Sequence, residues 1–127
     1  MPGDILVSVP ARPEFLHVLR SVVASVAARA DFPYDAIEDL RIAVDEACAQ
    51  LLSRSPDAEE LRIRVRPLSG GIELEASTEA PEGWTPADVR ASLAWQVIEA
   101  LADEAAVVTD GGWAAVRIAM TVPGASP

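Results

Sequence analysis

Glu46 and Gln50 are the two residues whose types and spacing could do chemistry: a carboxylate and a polar amide stacked one helical turn apart. Residues four apart on an α-helix are surface neighbours, so the two side chains could line one pocket. The same spacing describes two solvated surface residues, and charged side chains are mostly exposed. The run that carries them, Asp39 to Leu52, has the pattern of an amphipathic helix. Ile37, Leu40, Val44, Cys48 and Leu51 recur every three or four residues and mark an inward stripe, leaving Asp39, Glu46 and Gln50 on another side.

The flanking sequence supplies the elements that must hold this helix. Ile5 to Val9 is short, β-branched and closed by Pro10, as a strand would be. Pro13 and Glu14 suit a helix start, and Phe15, Leu19, Val22 and Val26 give that helix an apolar stripe as far as about Ala30. Asp31 to Asp35 interrupts it, with Pro33 as the breaker. Asp35 is placed to cap the central helix, which should run to about Arg54. Leu61 to Arg66 alternates apolar with arginine, Gly70-Gly71 marks a hairpin turn, and Ile72 to Ala76 returns with the same alternation. Arg62, Arg64 and Arg66 could then face Glu73 and Glu75 across the pair. Thr78 to Asp88 reads as irregular. A helix over about Ser92 to Asp103 should turn Leu93, Val97 and Leu101 inward, with Trp95 as a further candidate contact. Strands at Ala105 to Thr109 and Trp113 to Val122, joined at Asp110-Gly111-Gly112, complete the order, with Gly124 to Pro127 as a loose tail. The order β-α-α-β-β-α-β-β predicts helices on one face of a mixed, mostly antiparallel sheet, a two-layer α/β sandwich.

A chain of 127 residues is expected to form one domain over 1–127. Charged residues break every apolar run before membrane-spanning length, and no basic residue precedes the first apolar stretch, so a cytoplasmic protein without a signal peptide is expected. A single cysteine, Cys48, excludes an internal disulfide and reads as a buried small hydrophobe. His17 has no metal-ligand companion, and Trp84 is either a loop residue packed on the core or an exposed anchor. The net charge of −10 opposes nucleic-acid binding and favours a basic protein partner, although solubility alone would also explain it.

Asp39 to Leu52, preceded by Ala11 to Phe15 and followed by Ile98 to Glu104, resembles the anti-sigma-factor serine kinases, small members of the Bergerat-fold ATPase group that includes histidine-kinase catalytic domains. The resemblance spans nearly the whole chain. It implies that Glu46 matches a catalytic base and that Gln50 stands where an Asn ligates Mg²⁺. The strand matching Ile72 to Ala76 should enter an Asp-x-Gly-x-Gly turn that recognises adenine, and Ser77-Thr78-Glu79-Ala80-Pro81-Glu82 stands there instead. A second glycine box should precede the later helix, where Ser92-Leu93-Ala94-Trp95 is found, and Trp113 replaces a further glycine. Glu46, Gln50, Thr78, Ser92 and Ala94 are thus the degenerate ATP-site positions.

These losses imply an anti-sigma factor that sequesters an alternative sigma factor by direct binding, with kinase activity lost or weak and no resident cofactor. The alternative is an active kinase that uses Mg-ATP and Glu46 to phosphorylate an anti-anti-sigma factor. A plain interaction domain outside sigma regulation is a third reading. The resemblance further implies a homodimer, a role in stress-responsive transcription, and a partner contact through Arg20, which lies off the first helix's apolar stripe.

Overall fold

The computed structural model describes residues 3–122. The expected loose tail, 124–127, lies outside them. Five strands form one sheet in the order β1-β2-β3-β5-β4, and every pairing is antiparallel. These are β1 (Ile5–Pro10), β2 (Glu60–Leu68), β3 (Gly71–Glu79), β4 (Glu104–Asp110) and β5 (Trp113–Thr121). The sheet is therefore wholly rather than mostly antiparallel among the described residues. Four helices accompany it: α1 (Leu16–Arg29), entered through a 3₁₀ turn at Pro13–Phe15, α2 (Tyr34–Ser53), α3 (Pro86–Arg90) and α4 (Leu93–Leu101). The alternation in β2 and β3 decides which side they cover. Leu61, Ile63, Val65, Ile72, Leu74 and Ala76 are essentially inaccessible to solvent and share one core with Leu19 and Val23 of α1 and with Leu40, Val44, Cys48 and Leu51 of α2.

Two tight places fix the sheet. Gly111 and Gly112 both have positive φ, 56° and 87°, as a two-residue hairpin with the handedness of twisted strands demands. At Gly71 the constraint is space: a Cβ there would lie 2.8 Å from the backbone oxygen of Met120 on β5.

The structure departs from the sequence-based reading in four places. Pro33, not Asp35, is the N-cap of α2; its extended backbone lets its carbonyl accept the N–H of Ile37 at 3.0 Å, and Asp35 sits in the first turn, where its charge suits the helix dipole. In α1, Val23 and Ala27 join Leu19 and Val26 in the core, while Phe15 and Val22 are half-buried. In α4 the inward face is Ala94, Trp95 and Ile98, whereas Leu93 is 78% exposed and Val97 37%. Both sets recur at helical spacing; turning the large indole inward removes more apolar surface from water than turning Leu93 inward would. Finally, β3 continues through Thr78 to Glu79, paired with Ala114 and Trp113 of β5, and the loop beyond it contains α3.

The outer face of the sheet carries the arginines of β2. Arg64 lies opposite Glu75 and Arg66 opposite Glu73. Arg117 reaches Glu75 at 2.6 Å, Arg66 reaches Asp4 at 3.2 Å, and Arg62 pairs with Glu60 at 3.1 Å. The Arg62 guanidinium also lies 3.7 Å from the ring centre of Trp113. Exposed pairs of this kind stabilise by about 1 kcal/mol at most.

Candidate functional site

α2 packs over β3 and beside α4, so the elements carrying Glu46 and Gln50, Thr78, and Ser92 and Ala94 are brought together around one helix. Glu46 is half-buried and takes part in no side-chain hydrogen bond or ion pair among the described residues. Gln50 makes no hydrogen bond to Glu46 among the described residues. Its Oε1 accepts a hydrogen bond from Arg54 Nε at 3.0 Å, so a guanidinium occupies the oxygen that would meet a cation. Among the described residues there is no cluster of three His, Cys, Asp or Glu side chains able to hold a metal.

The remaining positions are engaged within the protein. Thr78 is 0% exposed; its hydroxyl donates to the backbone carbonyl of Glu60 at 2.7 Å and lies 3.3 Å from Glu79 Oε1. Glu79 is a clamp, with its two carboxylate oxygens accepting the N–H groups of Glu59 and Glu60 at 3.0 Å each. Burial works to raise the Glu79 pKa, but the hydrogen bonds from backbone N–H groups outweigh it and hold the carboxyl below its ordinary value. At the start of α4, Ser92 Oγ accepts from Trp95 N at 3.1 Å and donates to Val89 O at 2.6 Å. The N-terminal donors that could cradle a phosphate thus already have a side-chain cap. Ala94 is 8% exposed and Trp95 5%, so their side chains fill the space beside that cap.

Arg20 lies between α1 and α2 rather than projecting alone into solvent. Its Nε is 3.1 Å from Asp45 Oδ1, with both side chains about one third exposed. Burial raises the Asp45 pKa despite the nearby Arg20 and Arg41 guanidinium groups, so desolvation exceeds the attraction at this pair. Cys48 is fully buried, and that burial, with the Asp45 charge, pushes its thiol up to about 12. Trp84 is half-buried against the core, which favours the packed reading of its loop. His17 is exposed, with Nδ1 2.9 Å from the carbonyl of Glu14. Asp45, Arg54 and Glu79 were not among the expected site residues. The Gln50-to-Arg54 spacing of four was a readable signal for one of them. Thr85-Pro86 was the readable signal for α3.

Helices laid over one face of an antiparallel sheet are the arrangement of a histidine kinase-like ATPase domain. The sequence pattern of that family matches residues 9–120, and the chain belongs to it. Among individual relatives, it is 40% identical over 107 residues to the anti-sigma-F factor RsbW of Mycobacterium tuberculosis (strain ATCC 25618 / H37Rv), covering 82% of this chain and 61% of that protein. It thus spans about three fifths of that relative's length. It is 28% identical to the serine-protein kinase RsbW of Bacillus velezensis, covering 92% of this chain and 83% of that one. A crystal structure of RsbU and RsbW domains from Mycobacterium tuberculosis superposes with a TM-score of 0.67 over 94% of this chain and 32% of that one, at 11% identity, a likeness of fold.

Proposed function

We propose that this chain, folded as one domain over 1–127, is a cytoplasmic anti-sigma factor that acts by holding an alternative sigma factor in a stoichiometric complex of a dimer, without phosphoryl transfer. Thr78 carries the reading. At the position where the family recognises adenine stands a fully enclosed hydroxyl already bonded to the Glu60 carbonyl. Gln50 turned to Arg54, Ser92 capping its own helix and the buried Ala94 support it, because each occupies a separate hold on Mg-ATP. These residues do not fit the nucleotide, and phosphoryl transfer depends on positioning and charge stabilisation that they do not provide. The name of the Mycobacterium tuberculosis relative, an anti-sigma-F factor, supports sigma-factor control as the setting.

The direct test is calorimetry with Mg-ATP at protein concentrations that reveal millimolar affinity, run beside capture of purified alternative sigma factors. Sigma-factor binding without nucleotide heat supports the proposal; micromolar nucleotide binding overturns it. Arg20 is the partner contact under this reading. Arg20→Gln should weaken capture, whereas Asp45→Asn, which releases Arg20 from its ion pair, should not. Equal weakening by both would make the pair a structural element and remove Arg20 from the interface.

A second reading is favoured by one observation: Glu46 keeps the base position and is half-buried with no intramolecular partner among the described residues. Under it the protein phosphorylates an anti-anti-sigma factor. Phosphate transfer abolished by Glu46→Gln would move that reading to first place.

A further inference from the structure

The two edges of the sheet are guarded differently. At β1 the Ala11 N–H donates to the Glu59 carbonyl at 3.1 Å, so alternation turns Pro10, which has no N–H to offer, towards the outside. β4 is the other edge. Its run Glu104-Ala105-Ala106-Val107-Val108-Thr109-Asp110 contains no proline and no lysine, residues that commonly block strand addition. Gly111 and Gly112, at φ 56° and 87°, form a type I′ turn that closes on a hydrogen-bonded pair, Asp110 with Trp113. Alternation from that pair leaves the N–H and C=O of Ala105, Val107 and Thr109 pointing away from β5. No hydrogen bond from outside the ladder reaches them among the described residues. Val107 shares the core with Val89 of α3, which holds the strand from the helical side, while Glu104, Ala106, Thr109 and Asp110 are exposed along it.

Beside the first half of this edge lies a groove of about 590 Å³. Ala106 of β4 and Ala119 of β5 line it, and side chains that small leave room for a long one. Glu73, Asp103 and Glu104 bring carboxylates to it against the single guanidinium of Arg117. All but one of these charges are engaged: Arg117 with Glu75 at 2.6 Å, Glu73 with Arg66 at 3.6 Å, and Asp103 with the Thr121 N–H at 2.6 Å. Glu104 is exposed and takes part in no ion pair or hydrogen bond of its side chain among the described residues. On β5, Ala119 lies opposite Glu104 on one side and Glu73 on the other, so a cation seated over Ala119 meets both carboxylates.

We propose that β4 is a docking edge for an extended, basic segment of a partner protein, which adds to the sheet as a further strand and lays a Lys or Arg along the groove. Backbone bonds to Ala105, Val107 and Thr109 supply affinity. The basic side chain sets the choice of partner, its alkyl stem on Ala106 and Ala119 and its head between Glu73 and Glu104. Charge disfavours a second copy of this chain as the occupant. Two β4 strands laid antiparallel over their whole length would set Glu104 opposite Asp110 at both ends, and like charges directly opposite repel. A chain of net charge −10 complements a basic segment instead. This inference stands independently of the nucleotide and sigma-factor readings, because none of the ATP-site positions lies on β4 or lines the groove.

The test titrates two end-blocked peptides, Thr-Val-Lys-Val-Thr and Thr-Val-Glu-Val-Thr, to millimolar concentration into the full chain while amide NMR shifts are followed. Saturable shifts at Ala105, Val107 and Thr109 are expected with the Lys peptide, and binding weaker by about fivefold with the Glu peptide. Glu104→Lys should reverse that preference. The Lys peptide with every backbone nitrogen methylated should not bind, because strand addition depends on main-chain hydrogen bonds. Thr109→Pro removes an outward N–H and none of the ladder's, so it should weaken both peptides while thermal unfolding shows the fold intact. No saturable shift with either peptide, equal affinity for both, or shifts centred on the exposed Leu93 and Val97 would overturn the proposal. A dimer in sedimentation equilibrium that Thr109→Pro dissociates would also overturn it, by assigning the edge to a second copy.

Discussion

Replacing Thr78 with Asp restores the carboxylate that the family uses for adenine, and the structure predicts that it damages the fold instead of rebuilding the site. Thr78 is 0% exposed, with the Glu60 carbonyl oxygen 2.7 Å from its hydroxyl and Glu79 Oε1 3.3 Å away. An ionised carboxylate in its place would meet two acceptors and no donor. At an effective dielectric of about 20, two unit charges 3.3 Å apart repel by roughly 5 kcal/mol. Losing the hydroxyl's hydrogen bond adds about 1 kcal/mol. The total is comparable with the whole stability of a small domain, about 5–15 kcal/mol. Protonation offers partial relief, so the folded-state pKa of the introduced carboxyl rises above the unfolded value of about 3.9. The sign follows: the charge-dependent part of the destabilisation is absent below about pH 4 and grows as the pH rises through the interval between those two values. Urea unfolding followed by circular dichroism at several pH values measures this directly, with Thr78→Val, expected to cost about 1–2 kcal/mol, as the control that removes the donor without adding charge. Thr78→Asp with wild-type stability at pH 7 and newly gained micromolar ATP binding would refute the enclosure of Thr78 and the binding-only reading built on it.

Glu79→Gln should cost about 1 kcal/mol at neutral pH, a loss kept small by the exposure of the carboxylate, because an amide can offer only one oxygen to the N–H groups of Glu59 and Glu60. Since the Glu79 carboxyl is held below the ordinary 4.5, its stabilisation is present above that value and disappears as the pH falls through the folded one; urea midpoints should therefore fall less steeply in acid for the variant. With its thiol pushed up to about 12, Cys48 should stay unmodified by a disulfide reagent at pH 8 for many minutes and react at once in urea, and rapid native labelling would contradict its burial. Gly71→Ala should lower stability by about 1–3 kcal/mol because its Cβ meets the Met120 carbonyl at 2.8 Å, an expectation that an unchanged melting temperature would defeat.

Much of the fold was legible because its signals are local and periodic. Leu61 to Arg66 and Ile72 to Ala76 alternate with period two, and antiparallel pairing places their arginines and glutamates on the same outer face. Phase was harder to read in α4. Leu93, Val97 and Leu101 recur at helical spacing as cleanly as Ala94, Trp95 and Ile98, and periodicity cannot choose between the two sets; only the elements packed against the helix, α2 foremost, do. The candidate site divides in the same way. Glu46 and Gln50 were visible as neighbours on α2, whereas the hydroxyl bond from Thr78 to Glu60 joins residues that only strand pairing brings together.

The arginine rows on the outer sheet face give the molecule an electrical direction. Arg62, Arg64, Arg66 and Arg117 are matched there by Asp4, Glu60, Glu73 and Glu75, so the net charge of −10 resides on the helices, loops and strand ends. A positively charged body approaching from a distance is therefore drawn to the helices, loops and strand ends and not to the outer sheet face, before any contact forms. At physiological ionic strength this steering fades beyond about 8 Å. Encounters made through the helices should slow as salt is added, while encounters made through the sheet should proceed at a rate that salt scarcely alters.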